Sequence, residues 1–293
     1  MKLRHLIVIL SVVALTASLC FAQFRGRSRG RGMDPDIKTA RAAEQHSVPT
    51  PQWHNPPGFE KDVFTFVRIR YGTHNRYRSN GYWIGSGRWT IDFPDADLNI
   101  SYRLQQLTSM RVDPDGRVLE LTDPELFNYP FIYIVEPGDL AFSDEEVPIL
   151  RRYLLNGGFL MLDDFWGEAE WENMAAEMKK VFPDRDWVDL PRSHPIFHCV
   201  FDLPDSLNLQ CPNVGTGTSS QYTGVTWERY DAREVHVRAI FDDKGRMMCI
   251  ATHNTDNGDG WEREGENEYY FREFAEKKAY PLGINIFFYA MTH

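Results

Sequence analysis

Two unbroken apolar runs, Phe131 to Val135 and Phe159 to Leu162, set the strongest constraint on what this chain can fold into. Each is too short for a stable helix and lacks the polar alternation of a half-exposed strand, so each reads as a strand covered on both faces of its sheet. Between them lies Ser143-Asp144-Glu145-Glu146, a serine with a glutamate three residues on, which can satisfy the first free amides of a helix. Gly157-Gly158 offers the left-handed stop at the other end. Strand, helix, strand in this order implies parallel pairing, because a parallel partner needs a crossover connection.

The other segments fit that frame. Phe64 to Tyr71 alternates like a strand, and Asp97 to Leu107 suits a short helix. Trp171, Met174, Ala175, Met178, Val181 and Phe182 fall on one helical face, which core packing explains. Glu234 to Phe241 and Met247 to Thr252 flank Asp242-Asp243-Lys244-Gly245, a hairpin signal. Pro281 to Met291 predicts a closing apolar helix. The expected fold is α/β, with a mainly parallel sheet flanked by helices and an added β-hairpin.

The first 22 residues have the parts of a cleavable signal peptide: Lys2 and Arg4, the apolar run Leu6 to Leu15, and Cys20-Phe21-Ala22. The run is well short of the ~20 apolar residues that span a bilayer. Leu19 is a poor residue before a lipidated Cys20, so cleavage after Ala22 and release to the periplasm or beyond is the expectation. The whole chain carries a formal charge of −10, and loss of Lys2 and Arg4 leaves the remainder more acidic still. Against that acidity stands a glycine-interleaved arm with Arg25, Arg27, Arg29 and Arg31. It reads as a solvated tether, or as a holder of anionic surface polymer or lipid headgroups. Export and the acidic body argue against nucleic acid. Residues 23–58 read as this arm plus a Pro-rich linker, and 59–293 as one domain. Of Cys199, Cys211 and Cys249, the first two are the plausible disulfide in an oxidising compartment, with Cys249 a buried small hydrophobe.

Ligands of open α/β sheets bind beyond the carboxyl ends of the strands. There the sequence places Asp163-Asp164-Phe165-Trp166-Gly167. The two acids read either as a cation or acid–base pair, or as a helix cap beside a solvated carboxylate. His253-Asn254-Thr255-Asp256-Asn257-Gly258-Asp259-Gly260-Trp261-Glu262 is dense in oxygen ligands but does not fit a calcium-loop pattern, and a surface turn is the plain reading. No dedicated metal set is assigned. The candidate ligand-binding residues are Asp163, Asp164, Trp166, His194, Asp256, Asp259 and Glu262, with cofactor unassigned. Tyr77, Tyr82, Trp83 and Trp89, mixed with Arg76, Arg78 and Arg88, read as core cover or as a sugar-stacking or anion-binding loop.

Several blocks in order resemble the bacterial family of domain of unknown function 4159. They are Trp89-Thr90-Ile91-Asp92-Phe93-Pro94, Tyr129 to Gly138, Leu154 to Phe165, His194-Pro195-Ile196-Phe197, Asp242 to Arg246, Gly258 to Glu262 and Leu282 to His293. The resemblance implies a class I glutamine amidotransferase-like fold, of flavodoxin-like three-layer form. Those enzymes carry a nucleophilic cysteine on the turn after a central strand, where this chain has Asp163-Asp164-Phe165-Trp166-Gly167 and therefore no thiol. The expected function is a non-catalytic extracytoplasmic ligand-binding or assembly module. The alternative is a hydrolase in which Asp163, Asp164, His194, Asp256 and Asp259 hold a metal or share acid–base work.

Overall fold

The computed structural model describes residues 34, 36–58, 62–73, 77–79, 82–84 and 88–293, with 77–79 and 82–84 given by backbone alone. The expected signal peptide and the arginine arm lie outside these residues. In chain order the elements begin with β1 (Val67–Ile69), β2 (Tyr77–Ser79), β3 (Tyr82–Ile84), α1 (Asp95–Leu107), β4 (Arg117–Leu119) and β5 (Phe131–Val135). They continue with α2 (Glu146–Leu155), β6 (Phe159–Asp163), α3 (Gly167–Val181), β7 (Val188–Asp189), α4 (Val214–Thr223) and β8 (His236–Phe241). The last are β9 (Met247–His253), α5 (Asn257–Glu262), α6 (Glu268–Tyr270), a π-helical stretch Phe271–Ala279 and α7 (Tyr280–Thr292).

Seven strands form the main sheet in the order β4-β1-β5-β6-β9-β8-β7, while β2 and β3 pair separately. From β4 to β9 every pairing is parallel; β8 and β7 continue antiparallel at one edge. The protein is therefore α/β with a mixed, mostly parallel sheet. Phe131, Tyr133 and Val135 join one apolar cluster with Phe66, Ile100, Trp261 and Phe287. Ile132 and Ile134 are buried as well, and successive strand residues point to opposite faces, so both faces of the sheet are covered.

The predicted cap of α2 is present: Ser143 N donates to Glu146 Oε2 at 2.8 Å, and Glu146 N to Ser143 Oγ at 3.3 Å. The hairpin is not an appendage, because β9 sits inside the sheet, parallel to β6 and buried at every position. The alternating run near Phe64 shortens to three regular residues with an isolated bridge at Phe64. Lys38 to His293 form one compact unit, so residues 38–58 do not behave as the linker their composition suggests. They lack an apolar period but are held by polar ties: Arg41 donates to the carbonyls of Thr50 and Pro114, and Trp53 Nε1 to that of Val112. The Cys199–Cys211 disulfide is not formed. Cys199 Sγ contacts the Asn285 carbonyl on α7, whereas buried Cys211 lies beside the Tyr270 hydroxyl, and both remain free thiols.

Arg68, at the centre of β1, is fully buried together with Asp97 of α1. Its Nε reaches both Asp97 carboxylate oxygens, at 2.9 and 3.1 Å, and Nη2 adds a third contact at 2.5 Å. Nη1 donates to the carbonyls of Trp89 and Ile91, and the guanidinium lies over the Tyr133 and Phe93 rings. Removing one partner of such a pair strands a buried charge, which costs about 3–5 kcal/mol. Arg68→Ala is expected to lower the unfolding free energy by about that amount, read as the urea midpoint. The double change Arg68→Met with Asp97→Leu should recover part of the loss; recovery of none would show that the carbonyl contacts, not the ion pair, carry the effect.

Candidate functional site

The carboxyl ends of β5, β6 and β9 and the loop before α1 meet in one cavity of about 190 Å³, lined by Asp92, Glu136, Asp164, Asp256 and Asp259 among others. Each strand ends on a residue with unusual backbone. Glu136, Asp164 and Asn254 follow β5, β6 and β9 with φ of 45°, 58° and 63°, and Asp92 has φ of 60°. Among the described residues these are the non-glycine positions with left-handed backbone. Such conformations cost about 1–3 kcal/mol each and concentrate at functional sites, with Asp and Asn tolerating them best.

The two adjacent aspartates divide their work. Asp163 is fully buried and accepts from Thr252 Oγ1, from both nitrogens of Asn257, from Gly258 N and from the Tyr133 hydroxyl, at 2.5 to 3.1 Å. It ties β6 to β5, β9 and the start of α5. Burial raises its pKa, and these donors pull against that rise. Asp164 turns into the cavity. Trp166 Nε1 donates to its Oδ1 at 3.1 Å, and Trp166 N donates to Glu170 Oε2 at 2.8 Å. Neither aspartate caps α3, whose first amides are taken up instead by Asn254 Oδ1, from Gly167 N at 2.9 Å, and by Asp231 Oδ2, from Glu168 N at 3.1 Å.

Asp256 Oδ1 accepts from Asp259 N at 2.6 Å and so caps α5. Asp259 accepts from Val214 N at 2.5 Å and from Arg263 Nε at 3.0 Å. Glu262 pairs with Arg263 Nε at 2.6 Å. The run from His253 to Glu262 is therefore no surface turn: every residue in it is buried. Its polar side chains bond to groups from elsewhere in the fold, Thr255 to Cys211 N and the Leu209 carbonyl, Asn254 to Gly167 N and the Glu234 carbonyl, and Asn257 to Asp163, which composition alone does not reveal.

Oxygens of Asp92, Asp164 and Asp256 all lie within 4.8 Å of one another, and so do those of Asp92, Asp259 and Glu262. Oδ2 of Asp92 is buried and has no hydrogen-bond partner among the described residues. Gly258 is what lets Asp92 approach, because a Cβ there would collide with that oxygen. Burial first, and then repulsion from neighbouring carboxylates, push Asp92, Asp164 and Asp256 well above the usual carboxylate range: Asp259 and Glu262 act on Asp92, Glu136 and Asp92 on Asp164, and Asp164 and Asp92 on Asp256. Burial, with Asp259 adding to it, raises Glu262 to about 8 against the pull of Arg263.

His194 is not among the residues lining this cavity. Its Nδ1 accepts from Ile196 N at 3.3 Å at a turn before Pro195, and its ring lies against Tyr289. Trp89 is buried against Phe93, with the Arg70 guanidinium over its ring, which fits core cover. Arg76 and the side chains of Tyr77, Arg78, Tyr82 and Trp83 lie outside the described residues. Arg88 pairs with Glu136 and with Asp139. Sequence reasoning missed Asp92 and Glu136. Glu136 directly follows an apolar strand, so the strand-end rule that selected Asp164 would have found it. Asp92 gives no local signal, since a loop of other elements carries it to the strand ends.

A family model for the domain of unknown function DUF4159 matches residues 65–291. The chain belongs to this family. Comparison with curated proteins finds no match. Every residue of the DUF4159 cavity named above lies inside the matched span.

At the end of β9, His253 supports the turn after β6: Nε2 faces the Gly167 carbonyl at 3.0 Å, and Nδ1 faces Arg238 Nη1 at 3.3 Å. These partners suit the neutral ring with its proton on Nε2. Burial pushes its pKa down to about 4, opposed by the Gly167 carbonyl and reinforced by Arg238. A folded pKa below the unfolded value of ~6.5 means that the unfolded chain binds the proton more tightly. The stabilising contribution is therefore complete above pH 6.5 and lost as pH falls toward 4, by up to about 3 kcal/mol. His253→Gln, which keeps a donor for Gly167, should lose less stability than the parent between pH 7 and pH 4 in urea titrations; equal losses would contradict this assignment.

Proposed function

We propose that the protein is an exported ligand-binding module whose strand-end cavity holds a hard divalent cation between Asp92, Asp164 and Asp256. The observation that carries the reading is the convergence of the Asp92, Asp164 and Asp256 carboxylates, together with a buried Asp92 oxygen that has no partner among the described residues. An all-oxygen donor set without histidine or cysteine suits calcium, magnesium or manganese rather than zinc or copper. A divalent cation would also remove the repulsion that raises these carboxyl groups, since each would then face an opposite charge.

The order of the parallel strands supports kinship with the class I glutamine amidotransferase-like fold. Numbered among themselves, they run second, first, third, fourth, fifth, as in flavodoxin-like sheets, where ligands sit at the switch point between first and third. Asp92 follows the first of these strands and Glu136 the third. Asp164 occupies a left-handed turn directly after β6, the kind of turn that carries the cysteine in those enzymes. A carboxylate there favours cation binding over nucleophilic attack. His194 stands outside the cavity and Asp163 is engaged by surrounding donors, so binding is favoured over hydrolysis.

Calorimetry and thermal unfolding with calcium, magnesium and manganese test this reading. A cation at about a hundred times its Kd adds about 2.7 kcal/mol, or roughly 5–10 °C in a chain of this size. Asp164→Asn should unfold at a higher temperature than the parent in chelator, because one repelling charge is gone, yet gain nothing from the cation. An equal cation response in parent and variant would overturn the site. Export is tested by the N-terminus of the protein recovered outside the cytoplasm, expected at Gln23.

A further inference from the structure

The cavity is polarised in a way that a bare cation does not use. Asp92, Asp164 and Asp256 form its buried floor, while the half-exposed Arg88 and Arg229 line it at the rim beside Glu136 and Glu170. Arg88 is anchored by Glu136 and Asp139, and Arg229 Nη2 donates to Glu170 Oε1 at 2.6 Å. Both side chains are about half exposed, 42% and 53%, so their outer edges are open. A guanidinium has five N–H donors in a planar fork, and these anchors take up only some of them. The carboxylates therefore hold the two forks in place without saturating them.

We propose that the cation-loaded cavity takes a phosphate group, bound jointly by the cation, Arg88 and Arg229. The proposal rests on the cation reading above. A cation in the floor and two guanidiniums on the rim are three separate positive centres around one space. A tetrahedral phosphate offers an oxygen to each and suits bidentate guanidinium contacts, whereas a carboxylate has only two oxygens to share among three. Without the cation the floor presents clustered carboxyl groups and no positive centre, so the two ligands bind with positive coupling. A volume of about 190 Å³ admits a phosphate and a small substituent. Free phosphate and a phosphate monoester share this chemistry.

The test is calorimetry of the full protein with inorganic phosphate, with glycerol phosphate and with acetate, each in chelator and in the cation that binds. Phosphate is expected to bind at least about tenfold more tightly with the cation than in chelator, a factor worth 1.4 kcal/mol. Arg229→Gln should weaken phosphate about tenfold or more, the scale of a hydrogen bond to a charged group, and should keep or strengthen the cation. Arg272→Gln, at a distant exposed pair with Glu268, serves as the control and should change neither. Glycerol phosphate binding more tightly than inorganic phosphate assigns the site to esters, and the reverse assigns it to the free ion. If the cation binds but phosphate affinity is the same in chelator or in Arg229→Gln, or acetate binds as well as phosphate, this inference is overturned and the cation site stands. If no cation binds, both fall.

Discussion

The buried Arg68 guanidinium holds together the parts on which everything at the strand ends depends. It comes from β1, clasps Asp97 of α1, and gives its remaining donors to the carbonyls of Trp89 and Ile91. Those carbonyls belong to the turn that leads directly into Asp92. A charge in this position is costly unless it is fully paired, so its surroundings are over-determined: carboxylate, two carbonyls and two ring faces. Side chains of one strand and one helix thereby place an acid that belongs to neither. Asp163 does the equivalent work one strand over, since its five donors lock the start of α5 against β5, β6 and β9.

Between these two anchors the chain accepts several unfavourable states at once. Four non-glycine residues have left-handed backbone, and three carboxylates are buried against one another. A fold whose net stability is on the order of 5–15 kcal/mol tolerates such a concentration only where the surrounding structure enforces it. The enforcement is visible in Gly258, which must lack a side chain for Asp92 to enter, and in Asp256, whose second role is to cap α5. Carboxyl groups fixed in this way are already desolvated and oriented, which is the preorganisation that the proposed cation site rests on.

How far the sequence revealed this follows from the range of each signal. β5, β6, the α2 capping box and the hairpin were legible because their signals are local: apolar continuity, a serine–glutamate spacing, a turn between two apolar runs. Asp164 was legible by its place after a strand. The insertion of β9 into the middle of the sheet was not, because local patterning does not reveal which strand lies beside which. α5 was misread for a related reason. Asn257-Gly258-Asp259-Gly260 has a surface composition, yet it is buried because its partners are other polar groups, chiefly Asp163, and satisfaction by distant residues leaves no periodicity. Asp92 fails on both counts, being a loop acid whose position is set by Arg68 from a different element.

The two carboxylate groups that share Asp92 raise the question of one cation or two. Arg263 answers it. Its Nε lies 2.6 Å from Glu262 and 3.0 Å from Asp259, so the second group already holds a fixed positive charge from the helix turn that follows α5. A divalent ion there would have to displace a guanidinium that those carboxylates hold in place, against direct repulsion at short range. The first group, Asp92, Asp164 and Asp256, has no such occupant among the described residues lining the cavity. Arg263 thus occupies the Asp259 and Glu262 side of the cluster and leaves the Asp164 and Asp256 side of Asp92 without a paired cation, so the proposed site has room for one cation rather than two.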